Sequence, residues 1–391
     1  MGGLMHIIKT TLFLSLIAVS GFSPNSFGTD FDLNQLLKLV PGTQKPEEVI
    51  AKLPPEVRAR FVLMLKSRSA QEASAENPRA LLYNEAGTFW VSFNGSKEQR
   101  GFEALELMQY DPRTKDYEFR EILYRNGQAE ISEPNPSACL VCHQRNPRAN
   151  WEPYPYWPGA LGQTYRFSKA EIQKIYAFAQ SAASHPRYRH LDFATHFKRH
   201  LQGKNETPAF ETYQLLNRQV LDRVPMKIRQ LPEYGQFRFA IFGALANCAD
   251  LEGFVPLEQL DPLPHLTYPN VSSDMERRFA RLPLIYRRFL RPQTKGATIK
   301  LRYLFENLGI VLQEFTNSFS EKYFLSSTGT LFPYLIRQLY YLDPTLKGLK
   351  VPFAALRDYY SLTPFPSEPK YQKQYDDFCT ELKWRSLKQF P

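Results

Sequence analysis

The sequence predicts an α+β protein, mainly α-helical, and three patterns carry that prediction. Apolar residues recur at helical spacing near the start and again almost continuously beyond residue 166. Between residues 79 and 132 the texture changes to short aromatic and aliphatic runs separated by turn residues, the pattern of a small antiparallel β-meander. The 30 prolines favour many short helices and bent connections over long regular ones. A hydrophobic content of 43%, with 14% aromatic residues, is enough to build a sizeable core and argues against disorder.

Residues 31 to about 75 read as helical. Leu33, Leu36, Leu37 and Val40 repeat at helical spacing, and Pro55-Glu56 opens a run holding Phe61, Leu63, Met64 and Leu65. Strands are expected over 79–83, 88–93, 104–110 and 117–124. Asn126-Gly127 then suits a type I′ turn into a last strand over 129–132. Ser168-Lys169-Ala170-Glu171 has the form of a capping box, starting a helix with Ile172, Ile175, Tyr176 and Ala179 inward. Further helices are expected near 190–201, 208–223, 236–249, 275–290, 297–317, 331–342, 353–361 and 374–386. The apolar stripe is clearest in 297–317, through Leu301, Leu304, Phe305, Leu308, Leu312 and Phe315.

Residues 1–28 read as a secretory signal: His6 and Lys9 precede the apolar run 11–19, and Ser26-Phe27-Gly28 offers small residues for cleavage. That run is too short to span a bilayer in the usual way, and no later stretch does better. The expected organisation is therefore 1–28 signal, 29–136 helices and meander, 137–165 a motif with an aromatic loop, and 166–391 a helical region packed on it. The expected location is outside the cytoplasm, in a bacterial periplasm. In such an oxidising compartment Cys248 and Cys379 are expected to pair, against the alternative of two buried thiols. The net charge of +10 suits an acidic redox partner or anionic lipid; nucleic acid fits the charge but not the compartment.

The remaining cysteines form the run Cys139-Leu140-Val141-Cys142-His143. Composition alone would yield on the order of 0.0005 such runs. Two thiols on one turn of chain can add across the vinyl groups of one haem, and the adjacent imidazole can then reach the iron. At these five residues the chain resembles the c-type cytochromes. The resemblance implies one covalent haem c held by Cys139 and Cys142, with His143 as the iron ligand, and an electron-transfer role. Residues 145–159 resemble exported bacterial proteins that carry one such motif followed by Pro-Arg, Trp and Trp-Pro-Gly, which implies no activity.

Around the motif several roles stay open. Trp151, Tyr154, Tyr156 and Trp157 are candidates to wall a porphyrin, and Arg145 or Arg148 to meet a propionate. The distal iron position could be filled by Met226, His185 or His190, or left empty, which would allow catalysis or sensing. His196 and His200 lie four apart beside Lys198 and Arg199 and read as a solvated basic helix face. Arg277, Arg278, Arg281, Arg287, Arg288 and Arg291 read either as another solvated face or as a docking surface. A haem-free thiol-disulfide protein would need a strand leading directly into the motif. Glu133-Pro134-Asn135-Pro136-Ser137 leaves no room for one.

Overall fold

A six-stranded antiparallel sheet organises the N-terminal half of the molecule. The computed structural model describes residues 30–67, 69–143, 147–149, 157–202, 206–232, 234–246, 248, 254, 334–353 and 369–390. Phe31–Pro391 make up one compact unit. The strands are β1 Phe61–Met64, β2 Arg79–Tyr83, β3 Phe89–Phe93, β4 Ala104–Asp111, β5 Asp116–Arg125 and β6 Gln128–Ile131, each paired with the next in chain order. Asn126 and Gly127 both have positive φ, as a type I′ turn between β5 and β6 demands.

The expected meander is therefore present, with one correction at its start. Residues 61–64 are not helical but pair with β2 through Phe61↔Leu82 and Met64↔Arg79, and the described residues between 65 and 75 form an irregular connection rather than a helix. All four residues of β1 are buried, so the run carries no period to separate strand from helix. Its outer edge is covered by a returning segment, with Leu65 N–H donating to Gly159 O and Leu161 N–H to Leu63 O.

Before the sheet stand three short helices, α1 Leu33–Leu37, α2 Pro46–Lys52 and α3 Pro55–Arg58. Asp32 and Gln35 form a capping box on α1, and prolines open α2 and α3. After the sheet come α4 Ser137–His143, α5 Lys169–Ala182, α6 Phe193–His200, α7 Pro208–Arg229 and α8 Tyr234–Leu245. The Ser168–Glu171 capping box on α5 is formed as expected. A helix over 334–342 (α9) and α10, Pro369–Leu387, complete the described elements. Pro225 does not end α7, which runs through it; Val224, Pro225 and Ile228 are buried, and their packing offsets the lost N–H bond. The signal segment, the arginine cluster, and the stretches expected to be helical over 275–290, 297–317 and, beyond Phe353, 353–361 lie outside the described residues.

The sheet separates two cores. One face sends Phe61, Leu82, Phe89, Val91, Leu107 and Ile122 against α1, α2, α5 and the turn around Tyr188. The other sends Met64, Tyr83, Trp90, Met108, Tyr117 and Phe119 toward α7, through Ala209, Leu215 and Leu216. A third core joins the end of α7 to α8, α9 and α10. There the expected disulfide is formed between Cys248 and Cys379, with Cα atoms 5.2 Å apart. Tyr375 Oη donates to Ala246 O at 3.0 Å in the same core.

Candidate functional site

The Cys-x-x-Cys-His run occupies all but the first two residues of α4, placed over the second face of the sheet by a single residue, Asn135. Its φ of +53° lies in the left-handed region, which asparagine tolerates better than most residues. Bent in this way, Asn135 brackets Phe119: its N–H donates to Phe119 O at 2.8 Å, and its Oδ1 accepts from Phe119 N at 2.9 Å. Pro136 O then accepts the Cys139 and Leu140 N–H groups and starts the helix. The chain thus enters the motif pinned to the strand residue on which the motif's histidine comes to rest.

His143 stacks on Phe119, ring centroids 3.9 Å apart at 28°. Its Nδ1 lies 2.6 Å from Arg148 O. A carbonyl only accepts, so Nδ1 carries the hydrogen and Nε2 keeps its lone pair. Burial is the largest influence on this imidazole and holds it down to about 4, with Arg79 and Arg148 adding to the effect against the carbonyl bond. The ring is neutral at pH 7, fixed in orientation and tautomer, with one nitrogen available. Metal-binding histidines are held in this way, the second ring nitrogen donating to a carbonyl.

The two sulfurs differ. Cys142 is exposed and Cys139 half-buried; neither is in a disulfide. Cys139 packs on the aromatic face beside Trp157. Burial first, then Glu121 and Glu106, push its thiol up to about 12. α4 buries none of its residues, and Val141 is 82% exposed. A seven-residue helix with two thiols and three apolar side chains, none of them buried, leaves an apolar surface to be covered.

These residues fit a covalent haem: two free sulfurs one turn apart, an oriented imidazole with a free nitrogen, and uncovered apolar surface beside them. Among the described residues no group of three or more His, Cys, Asp or Glu is arranged to hold a metal ion. A haem requires only one such ligand on the proximal side, because the porphyrin supplies the equatorial four.

The other expected residues are scattered. His185 and His190 do not face the motif. His185 Nε2 donates to Gly95 O at 3.0 Å, Nδ1 accepts from the Arg187 and Tyr188 N–H groups, and the ring stacks on Tyr188 at 4.2 Å. Tyr188 belongs to the opposite face of the sheet, and His190 lies in the same 3-10 turn. Met226 is half-buried on α7, the helix that covers the motif's face. Arg148 is buried beneath the motif, its side chain 1% exposed. Trp157 is half-buried; Trp151, Tyr154, Tyr156 and Arg145 lie outside the described residues.

His196 and His200 do not form a solvated face. Both are buried: His196 stacks on Phe61 at 3.9 Å, and His200 Nδ1 is 2.9 Å from Glu206 O with Nε2 3.5 Å from Glu211. Lys198 alone of that helix's basic residues is fully outward. A spacing of four puts two residues on one face without saying which way that face turns.

Sequence reasoning did not find Asn135, Phe119, Glu106 or Glu121. An asparagine between two prolines is a signal for a left-handed turn. Nothing local marks the other three, which reach the site only through strand pairing. No protein-family model, curated protein or solved structure matches the chain. Among the described residues no helix is long and apolar enough to cross a membrane.

Proposed function

We propose that this chain is an exported c-type haem protein that carries electrons through one covalent haem, with Cys139 and Cys142 as attachment sulfurs and His143 as the iron ligand. One observation carries the reading above all: the imidazole next to the paired cysteines is neutral and held by Arg148 O through Nδ1, leaving Nε2 for a metal. The haem, when bound, supplies a one-electron couple. The chain's own residues orient the ligand through Asn135 and Phe119 and keep one side of the site dry through Trp157 and Ala149. The Cys248–Cys379 bridge agrees with an oxidising compartment, and so with export to a bacterial periplasm. The positive net charge fits an acidic redox partner.

Met226, on α7, is the distal candidate on the helix whose first half packs against this face of the sheet. An empty distal position would instead suit a haem enzyme or sensor. The haem-free thiol-disulfide reading is disfavoured by Cys139 itself, because an attacking thiol needs a lowered pKa and this one is raised.

The test is to mature the protein in a host with haem-attachment machinery, then record its intact mass and optical spectrum. The expected result is a mass one haem above the bare chain and a low-spin spectrum. Met226→Ala should convert that spectrum to high spin. A colourless protein of bare-chain mass would overturn the reading.

A further inference from the structure

The sheet face beneath the motif holds a carboxylate pair to which electron transfer alone gives no role. Glu106 on β4 and Glu121 on β5 stand directly opposite one another, so both side chains leave the same face. The two are not treated alike. Glu106 receives Arg79 Nη2 and lies 3.5 Å from Ser92 Oγ, and Arg79 is fixed in turn by donating Nε to Gln71 Oε1 at 3.0 Å. Glu121 shares no ion pair among the described residues; its backbone alone is engaged, the N–H donating to Ser132 Oγ and the carbonyl accepting from Ser132 N, both at 2.9 Å. Its carboxyl is half-buried, and burial first, then Glu106, raise it above the usual carboxylate range. Both carboxylates act on the Cys139 thiol, the sulfur that joins the porphyrin in the haem reading.

We propose that Glu121 is the proton acceptor coupled to haem reduction. Its carboxylate takes one proton from solvent as one electron from a protein redox donor enters the iron, and returns the proton on oxidation. The inference rests on the haem reading above. Reduction removes one positive charge from the metal centre. With less positive charge nearby, an ionised Glu121 beside Glu106 becomes less favourable, and protonation relieves the repulsion.

The groups facing Glu121 leave it as the one to titrate. Glu106 on β4 is ion-paired with Arg79 on β2, yet its charge still bears on Glu121. Ser132, after β6, does not titrate. On the motif side, Cys139 becomes an uncharged thioether, while His143 binds iron and Arg148 stays charged.

The test is the midpoint potential of the haem-loaded protein from pH 5 to 8, read by mediated spectroelectrochemistry. The potential should fall as pH rises, approaching one proton per electron within that range. Glu121→Gln should flatten this dependence with the haem still attached, and Glu121→Asp should restore it. Glu106→Gln removes the repelling neighbour and should move the dependence to lower pH. A flat wild-type profile, or one that Glu121→Gln leaves unaltered, overturns the coupling and leaves the haem reading standing. A colourless protein overturns the haem reading, and the coupling with it.

Discussion

The two faces of the sheet are built from the same strands to different ends. One is mostly apolar and is covered by α1, α2, α5 and the turn around Tyr188; buried Arg187 is held at its margin by Glu47, Asn94 O and Phe102 O. The other begins as an aromatic surface through Tyr83, Trp90, Tyr117 and Phe119 and turns polar at Ser92, Glu106 and Glu121. At that boundary it carries a helix with no buried residue. Stability is concentrated where the surface is complete, and chemistry is available where it is not.

The comparison predicts a gradient of effects. Phe89 is fully buried on the closed face, edge-on to Phe31 at 5.5 Å, so Phe89→Ala should cost about 3–5 kcal/mol. Urea unfolding should show a lower midpoint with an unchanged slope. A loss below about 1 kcal/mol would mean that this face is not the stabilising one.

Acid gives the next effect. Burial lowers both His196 and His200, each also pressed by the neighbouring positive charge of Arg199. A histidine neutral in the fold but protonated when unfolded stabilises the fold fully only above its unfolded value of about 6.5. That contribution is lost as pH falls below it, at up to about 1.4 kcal/mol per pH unit for each group. His196→Phe should therefore lose less stability than the parent between pH 7 and pH 5. Equal losses would place His196 in water.

On the motif's side the expected costs are smaller. Asn135→Ala strains a left-handed residue and leaves Phe119 N without its acceptor, for about 1–2 kcal/mol. It should also broaden the His143 ring signals in NMR spectra. Val141→Ala, at the most exposed apolar position, should change stability by less than about 0.5 kcal/mol. A loss several times larger would show the open face to be as tightly packed as the closed one.

Much of this arrangement is legible in the sequence. Strands β2 to β6 follow from aromatic and aliphatic runs set between turn residues, and the Ser168 capping box from four adjacent letters, because both signals are local. β1 is misread as helix because four consecutive buried residues carry no period. The inward turn of His196 and His200 is hidden because helical spacing fixes a face but not its direction. The motif names Cys139, Cys142 and His143 directly. Glu106 and Glu121, fifteen residues apart, meet across a register that pattern alone does not specify.

The bridge between Cys248 and Cys379 has a consequence for chain integrity. It closes a loop spanning 131 positions and fastens the final helix to residues near the end of α8. A single backbone cut anywhere between the two sulfurs would leave both pieces tethered, and the molecule would keep its full mass on a gel until a reductant was added. A nicked population could therefore pass unnoticed through any purification run without thiols.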